Sequence, residues 1–361
     1  MKDTHKHKKT LKELEGIIST PKIHQSSIEK LKQKRSRKTD TKTLITGIKK
    51  GDINLLSKGI TLIESTHKKH QNQAQEIIKA CLPVSGKSIR IGITGVPGVG
   101  KSTFIESFGT YVAQLGHKIA ILAIDPSSSI HKGSILGDKT RMETLVRNPQ
   151  VYIRPSASGD TLGGVSKKTR ESIVLCEAAG YDIILIETVG VGQSETAVHS
   201  MVDFFLLLKL AGAGDELQGI KRGIIEMADA IVINKADGAM KKTAEIAKNA
   251  FQNALHLYPP KENEWIPKVQ TCSALEQTGI AAIWQVIEEY VVLTKSNASF
   301  EKKRKEQEIF WLYDTIESQL KTRFYSDPMV QKTLEEQLPL LAQKKTTPYE
   351  VASILLRIKT H

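Results

Sequence analysis

Cysteine is scarce in this sequence, and its few positions are far apart. The 361 residues contain three cysteines, Cys81, Cys176 and Cys272. No two of them are close enough in sequence to form a CxxC pair, which excludes a zinc or iron–sulfur site built from neighbouring cysteines. A disulfide framework is excluded on the same ground, so we expect the protein to work in a reducing compartment.

Long apolar runs are also missing. The longest, at 204–214, is interrupted by Lys209 and falls far short of the roughly 20 residues that a membrane span requires. The amino end has no apolar stretch of the kind found in signal peptides. We therefore expect no membrane partner and a cytoplasmic location, or the mitochondrial matrix if the source is eukaryotic.

Acidic residues are in short supply at the amino end. The whole chain carries 52 basic and 39 acidic residues, which gives a net charge of +13. Residues 1–50 hold 15 basic and 5 acidic side chains, so +10 of that charge lies there. The basic character belongs to a polar tail and not to the rest of the chain, and it does not favour nucleic acid as a partner.

What the chain does have is a regular alternation of apolar runs and amphipathic segments. Apolar residues recur at helical spacing between 41 and 82, which predicts two or three helices. From residue 88 onward, short apolar runs alternate with amphipathic segments such as 275–293, as is typical of α/β proteins whose mostly parallel sheet is covered on both faces. The predicted strands are Ile89–Thr94, Ile119–Ile124, Val151–Ile153, Ile183–Ile186, Phe204–Leu208, Ala230–Ile233 and Val269–Cys272.

These patterns divide the chain into four parts. We expect a flexible basic tail at 1–40, a helical extension at 41–87, an α/β domain at 88–295 and a helical arm at 296–361. After residue 296 the strand signals stop, and a long amphipathic helix is predicted over 301–324.

A phosphate-binding motif follows the first predicted strand. The sequence Gly-Val-Pro-Gly-Val-Gly-Lys-Ser at 95–102 matches G-x-x-x-x-G-K-[ST] in full and precedes a helical segment, which is the required context. Its backbone N–H groups can surround phosphate oxygens, and Lys101 can reach the outer phosphates. The residues predicted to bind nucleotide here are Gly95, Val96, Pro97, Gly98, Val99, Gly100, Lys101, Ser102 and Thr103.

A second motif, Asn234-Lys235-Ala-Asp237, indicates which base is bound. The Asp237 carboxylate can accept from guanine N1–H and from the 2-amino group, whereas adenine would leave it unpaired. Asn234 would join base and phosphate loop, and the stem of Lys235 can cover the base. Downstream, Ser273, Ala274 and Leu275 match the loop whose backbone contacts guanine O6. We therefore predict GTP and GDP as ligands.

Carboxylates at strand ends predict a magnesium site. Glu187 ends a buried apolar run and opens an E-x-x-G motif whose Gly190 can sense the γ-phosphate. Asp125 ends another run, and Asp138 lies in a polar stretch after it. With the hydroxyl of Ser102, these three carboxylates are the predicted Mg²⁺ ligands.

The position at which many GTPases carry a water-orienting glutamine is not a glutamine in this sequence. Val191 occupies the position after Gly190, and Gln193 lies two residues further on. We therefore expect slow hydrolysis by the protein alone and faster hydrolysis with a partner.

Longer motifs make the resemblance more specific. The runs Asp-Pro-Ser-Ser-Ser at 125–129, Gly-Asp-Lys-Thr-Arg-Met at 137–142 and Glu-Thr-Val-Gly-Val-Gly-Gln-Ser-Glu at 187–195 closely resemble the methylmalonyl-CoA mutase-associated GTPases. So does the stretch 214–229. This family comprises the MeaB, ArgK and MMAA proteins, metallochaperones among the P-loop GTPases of the SIMIBI class. The resemblance covers roughly 45–360.

The resemblance implies a function as well as a fold. It implies a homodimer formed through a C-terminal helical arm, here 301–324, and an acyl-CoA mutase as partner. GTP binding and hydrolysis would gate the loading of adenosylcobalamin into that mutase and protect it, with the cofactor held only by the mutase. It also implies catalytic roles for Lys101 and Glu187, and makes Lys221, in a loop expected to communicate with the mutase, a candidate stabiliser of transition-state charge.

Three other functions stay open at this point. A nickel-insertion GTPase of the same broad class would need a cluster of cysteine and histidine, which the scattered cysteines argue against. A signal-recognition GTPase would bring a methionine-rich domain, and the chain has six scattered methionines. The protein could also be a GTP-controlled scaffold with little catalysis of its own.

Overall fold

The structure is a computed structural model of the whole chain, and it divides into two units, Met1–Asp40 and Thr41–His361. Nearly all described residues belong to the second unit. The flexible basic tail predicted at 1–40 therefore lies almost entirely outside the described part. The structure describes residues 39–65, 67–125, 142–157, 162–188, 194–212 and 222–358.

A parallel β-sheet forms the centre of the second unit. Within the described residues it has seven strands in the order β3-β2-β4-β1-β5-β6-β7, and every neighbouring pair is parallel. The continuous apolar strands are buried on both faces, as a sheet with helical crossovers requires. This confirms the predicted α/β fold. The strands are β1 Ile89–Gly95, β2 Ile119–Asp125, β3 Val151–Ala157, β4 Ile183–Thr188, β5 Phe204–Leu210, β6 Ala230–Asn234 and β7 Lys268–Thr271.

Helices cover the sheet and extend the chain at both ends. Three of them precede β1, where two or three are predicted, and three follow the last helix of the α/β domain. In the described residues none is long and apolar enough to cross a membrane. The helices are α1 Thr41–Lys49, α2 Ile53–Glu64, α3 Lys68–Cys81, α4 Lys101–Gln114, α5 Glu143–Arg147, α6 Leu162–Ala178, α7 Ser194–His199, α8 Arg222–Met227, α9 Lys241–Leu255, α10 Ile280–Ser296, α11 Ser299–Ser326, α12 Pro328–Ala342 and α13 Pro348–Leu356.

The two faces of the sheet bury different helices. On one face Ile91 and Ile93 of β1 pack with α4 and α10. On the other, helices α1, α2, α3, α6 and α7 pack over β2, β4 and β5. Gly92 of β1 points to this second face, where an added Cβ would meet Val198 and Phe205 at 2.9 Å. The alternation of side chains along a strand thus places the phosphate loop helix and α7 on opposite faces.

The long helix α11 is anchored to the sheet edge opposite the phosphate loop. Asp203, directly before β5, is buried and accepts from Arg304 at 2.8 and 2.7 Å and from the Arg90 backbone N–H at 2.8 Å. Gln307 donates to the Val202 carbonyl at 2.8 Å, and Trp311 donates to the Ser200 carbonyl at 3.2 Å. Further along, α11 exposes large apolar side chains. These are Ile309, Phe310, Leu312, Tyr313, Ile316 and Leu320.

Candidate nucleotide site

The phosphate loop joins β1 to α4 at the carboxyl edge of the sheet. Gly98 and Gly100 have φ values of +80° and +93°, which lie in the left-handed region that favours glycine. An added Cβ at Gly100 would also stand 2.9 Å from Nδ2 of Asn234. The backbone can therefore curl into this loop only with glycine at position 100.

Lys101 is folded back over the loop. Its Nζ donates to the carbonyls of Gly95 at 2.8 Å and Val96 at 3.3 Å, and the residue is buried. Burial lowers the pKa of Lys101, and the carboxylates of Glu187 and Glu195 oppose this effect. A partly desolvated cation whose partners are two backbone carbonyls is suited to exchange them for phosphate oxygens, which carry negative charge.

The α4 amino terminus completes the anion-binding surface. Its first-turn N–H groups have no partner within the helix and face the loop, where the helix dipole favours negative charge. Ser102, in that first turn, is half-buried. The loop, the lysine and the helix terminus together suit a polyphosphate.

Asn234 connects the phosphate loop to the base side of the site. At the end of β6, its buried side chain donates to the Val99 carbonyl at 2.9 Å and accepts from the Ala274 backbone N–H at 3.2 Å. Its neighbour Lys235 donates to the Gly98 carbonyl at 2.9 Å. The two side chains attach both motifs to each other across the intervening strand β5.

Asp237 is held by the loop that follows β7. The Ser273 hydroxyl donates to Asp237 Oδ2 at 2.6 Å and accepts from the Glu276 backbone N–H at 3.0 Å. Ser273 and Thr278 exchange two backbone hydrogen bonds of 3.1 Å, which closes the loop. The sequence predicts a helix from 275, whereas α10 begins at Ile280, because this turn occupies 273–278. That boundary was wrong, while the loop keeps the Ser-Ala-Leu motif next to Asp237.

Glu187 is the predicted metal ligand on β4. It lies in β4 in register with Ile93 of β1 and Ala123 of β2, and it is buried. Next to it, Thr188 donates to the Thr94 hydroxyl at 2.9 Å and ties β4 to β1 beneath the phosphate loop. Asp125 is the last residue of β2, so its backbone lies at the same edge of the sheet.

These donors fit magnesium better than a metal held by protein alone. Among the described residues no group of three or more histidine, cysteine, aspartate or glutamate side chains could hold an ion. Mg²⁺ keeps several waters and needs one or two carboxylates together with phosphate oxygens, which Glu187 and the Ser102 hydroxyl can complement. Cys81, Cys176 and Cys272 are all buried, and burial raises the pKa of each thiol, which does not suit metal transfer.

Three of the predicted site residues lie outside the described part of the chain. These are Asp138, Gly190 and Lys221, and the side chain of Asp125 is likewise not described. Their roles stay predictions.

Two residues near the site were not assigned a role from sequence. Glu195, in the first turn of α7, is buried and acts electrostatically on Lys101. Ser107, in α4, donates to the Ala274 carbonyl at 2.5 Å. The glutamate ends the long motif that opens at Glu187, which was a usable signal, whereas a serine inside an amphipathic helix gives none.

Comparison with known proteins gives one consistent result. The family model described as methylmalonyl Co-A mutase-associated GTPase MeaB matches residues 56–329. A probable GTPase of Mycobacterium tuberculosis is 47% identical over 315 residues, covering 87% of this chain and 94% of the relative. A Mus musculus protein described as methylmalonic aciduria type A homolog, mitochondrial, is 43% identical over 343 residues, covering 91% of this chain and 81% of the relative.

A solved structure is similar over nearly the same length. The crystal structure described as that of a LAO/AO transport system kinase is 36% identical, with a TM-score of 0.70. The match covers 88% of this chain and 96% of that chain. The helices that flank the sheet thus belong to the shared architecture together with the nucleotide site.

Proposed function

Since the chain belongs to the family of methylmalonyl-CoA mutase-associated GTPases described as MeaB, we propose that its nucleotide state gates the loading of adenosylcobalamin into an acyl-CoA mutase and protects that enzyme. The protein is a GTPase with the P-loop fold of the SIMIBI class. The family's description associates it with methylmalonyl-CoA mutase. The cofactor is held by the mutase, and this chain supplies the GTP-dependent control.

One observation carries the nucleotide part of this proposal. The guanine-selecting motif and the phosphate loop are joined by the bonds from Asn234 to Val99 and from Lys235 to Gly98, both 2.9 Å long. A chance glycine-rich turn would not be locked to a remote N-K-x-D motif in this way. Base recognition and phosphate binding therefore form one site, in which a change at the γ-phosphate can reach the loops around it.

We assign the following roles to the residues of that site. Lys101 leaves the carbonyls of Gly95 and Val96 and neutralises the outer phosphates, and Asp237 accepts from the guanine N1–H and 2-amino groups. Ser102 and Glu187 would hold Mg²⁺, directly or through water, with Asp125 and Asp138. The ion would supply positive charge that offsets the negative charge of the phosphates.

The phosphate loop contributes the cation Lys101, which donates to the carbonyls of Gly95 and Val96. In our assignment this lysine neutralises the phosphates of the bound nucleotide, before and during hydrolysis. We propose that Lys221 supplies an additional positive charge that stabilises the transition state of hydrolysis. Hydrolysis is then slow by the protein alone and faster with the mutase.

The partner surfaces are also proposals. The exposed apolar side of α11, which includes Tyr313, Ile316 and Leu320, supports a homodimer formed through the helical arm, because a row of large apolar residues favours burial against a second surface. We place the protein in the cytoplasm of a bacterium, or in the matrix if the source is eukaryotic, as the name of the mouse relative suggests for that protein.

The test is nucleotide-dependent binding to methylmalonyl-CoA mutase. Calorimetry compares the affinity for the mutase with GDP and with a non-hydrolysable GTP analogue, and we expect the two affinities to differ by at least several fold, since coupling between sites is reciprocal. Equal affinities with both nucleotides would refute the gating proposal and leave the GTPase assignment intact.

Asp237→Asn supplies a matched control for that measurement. The asparagine amide can donate to the 2-oxo group of xanthine, where the carboxylate accepts from the 2-amino group of guanine. The variant should therefore lose GTP binding and gain binding of xanthosine triphosphate. Its response to the mutase should then follow the xanthosine nucleotide and ignore GTP. A variant that keeps its preference for GTP would refute the base contact.

A further inference from the structure

Ser107 is a buried serine in the middle of α4, six residues after Lys101. Serine hydroxyls inside helices commonly donate to the carbonyl four residues earlier, as Ser172 of α6 does to Lys168 at 2.8 Å. Ser107 instead donates to the carbonyl of Ala274, 167 residues away in sequence, at 2.5 Å. The hydroxyl thus ties the phosphate-binding helix to the loop after β7.

This bond fixes the direction of a second group. The peptide between Ala274 and Leu275 is planar and trans, so its carbonyl and its N–H point in opposite directions. Because Ser107 holds the carbonyl against α4, the Leu275 N–H must point away from that helix. No acceptor for this N–H is found among the described residues, and Leu275 is 79% exposed. The Leu275 N–H is therefore an unused backbone donor of this loop, and its direction is set by Ser107.

The neighbouring donor is already in use. The Ala274 N–H donates to Oδ1 of Asn234 at 3.2 Å, and both residues are buried. The same loop carries Ser273, whose hydroxyl holds the Asp237 carboxylate at 2.6 Å. A base that pairs its N1–H and 2-amino groups with Asp237 brings its 6-oxo group, an acceptor, to this loop. The Leu275 N–H, which lies directly after Ala274 and is turned away from α4, is a free donor for that oxygen.

We propose that Ser107 is a positioning residue for guanine recognition, whose hydroxyl orients the Ala274–Leu275 peptide so that the Leu275 N–H donates to guanine O6. The inference rests on the proposed function, because it requires that Asp237 binds the guanine edge. It assigns selectivity at position 6 of the purine to a side chain of the phosphate-binding helix, in addition to the selectivity at positions 1 and 2 from Asp237.

The experiment measures the affinities of the full chain for three nucleoside diphosphates by calorimetry. GDP carries the 6-oxo, N1–H and 2-amino groups of the guanine edge. In 6-thioguanosine diphosphate a sulfur, which is a weaker acceptor, replaces O6, and inosine diphosphate lacks the 2-amino group. The variant Ser107→Ala removes the hydroxyl, and Ser107→Thr keeps it. Ser172→Ala is the matched control, since it removes an equally buried helical serine hydroxyl far from the loop.

Wild-type protein should prefer GDP to the thio analogue by roughly 5–10-fold, the worth of one hydrogen bond. Ser107→Ala should lose most of that preference while it keeps the preference for GDP over inosine diphosphate, and Ser107→Thr and Ser172→Ala should keep both. An equal loss of affinity for GDP and its thio analogue in Ser107→Ala would overturn the inference, as would a wild-type protein that binds both equally well. A wild-type protein that does not prefer GDP to ADP would overturn the proposed function itself.

Discussion

Removing the side chain of Asn234 tests whether the two halves of the nucleotide site support each other. Its amide donates to the Val99 carbonyl at 2.9 Å and accepts from the Ala274 N–H at 3.2 Å, and the residue is 1% exposed. The substitution Asn234→Ala leaves both backbone groups without their partner, at positions that are themselves buried. A buried polar group that loses its partner costs about 1–3 kcal/mol. With two such groups, we expect the free energy of unfolding to fall by about 2–4 kcal/mol, because water that enters the space recovers part of the cost.

Urea unfolding followed by circular dichroism measures this loss. The midpoint should fall while the m-value stays unchanged, because the surface exposed on unfolding is the same. Asn148→Ala is a suitable control, since its side chain accepts one local hydrogen bond, from the Gln150 N–H at 2.9 Å, away from the nucleotide site. It should cost no more than about 1 kcal/mol. An Asn234→Ala variant as stable as this control would refute the reasoning.

The isosteric change Asn234→Asp separates the two hydrogen bonds. One carboxylate oxygen can still accept from Ala274, but the other faces the Val99 carbonyl, and two acceptors repel each other. The buried charge adds a desolvation cost, so the carboxyl pKa should be raised. Protonation restores a donor toward Val99. The stability of this variant relative to wild type should therefore increase as the pH falls, and no pH dependence of that difference would contradict the bond to Val99.

Two further predictions concern the opposite edge of the sheet. Burial, aided by Lys303, lowers the pKa of His199 to about 4, so the unfolded chain binds a proton that the folded one does not between about pH 4 and 6.5. Stability should decrease by about 1–3 kcal/mol as the pH is lowered through that window, and His199→Gln should flatten the slope; an unchanged slope in the variant would exclude His199 as its source. Arg304→Met leaves the buried Asp203 carboxylate with the Arg90 N–H, so we expect a loss of about 3–5 kcal/mol in chemical unfolding. Lys321→Met, which removes the exposed partner of Glu317, should leave the unfolding midpoint nearly unchanged, and equal losses of stability in both variants would disprove the anchoring of α11.

Contiguous motifs explain why much of the site could be predicted from sequence. Residues 95–103 run from the end of β1 through one short loop into the first turn of α4, so their spacing alone specifies the loop. Asn234 and Asp237 belong to a second short motif after another strand. Because the carboxyl ends of parallel strands share one edge of the sheet, the two motifs were expected to lie together, and the bond from Asn234 to Val99 agrees with this.

Element ends were harder to predict where partners far away in sequence decide them. The apolar run that predicts β3 stops at Ile153, but the strand continues to Ala157 because it pairs with β2, Ala123 opposite Pro155 and Asp125 opposite Ala157. The helix predicted from 275 begins at Ile280 because the turn at 273–278 is closed by backbone bonds and followed by Gly279, with φ +80°. Periodicity records which faces are buried, and it does not record pairing.

The base loop shows why its support could not be read from the sequence. Ala274 receives one hydrogen bond from α4 and gives another to the end of β6, to residues 167 and 40 positions away. No local pattern encodes either contact, because each depends on the order of strands in the sheet. The same contacts make guanine selectivity and stability depend on the same buried atoms. Substitutions that loosen the loop should therefore weaken nucleotide selectivity and lower stability together, whereas substitution of the half-buried Asp237 should alter selectivity with a smaller effect on stability.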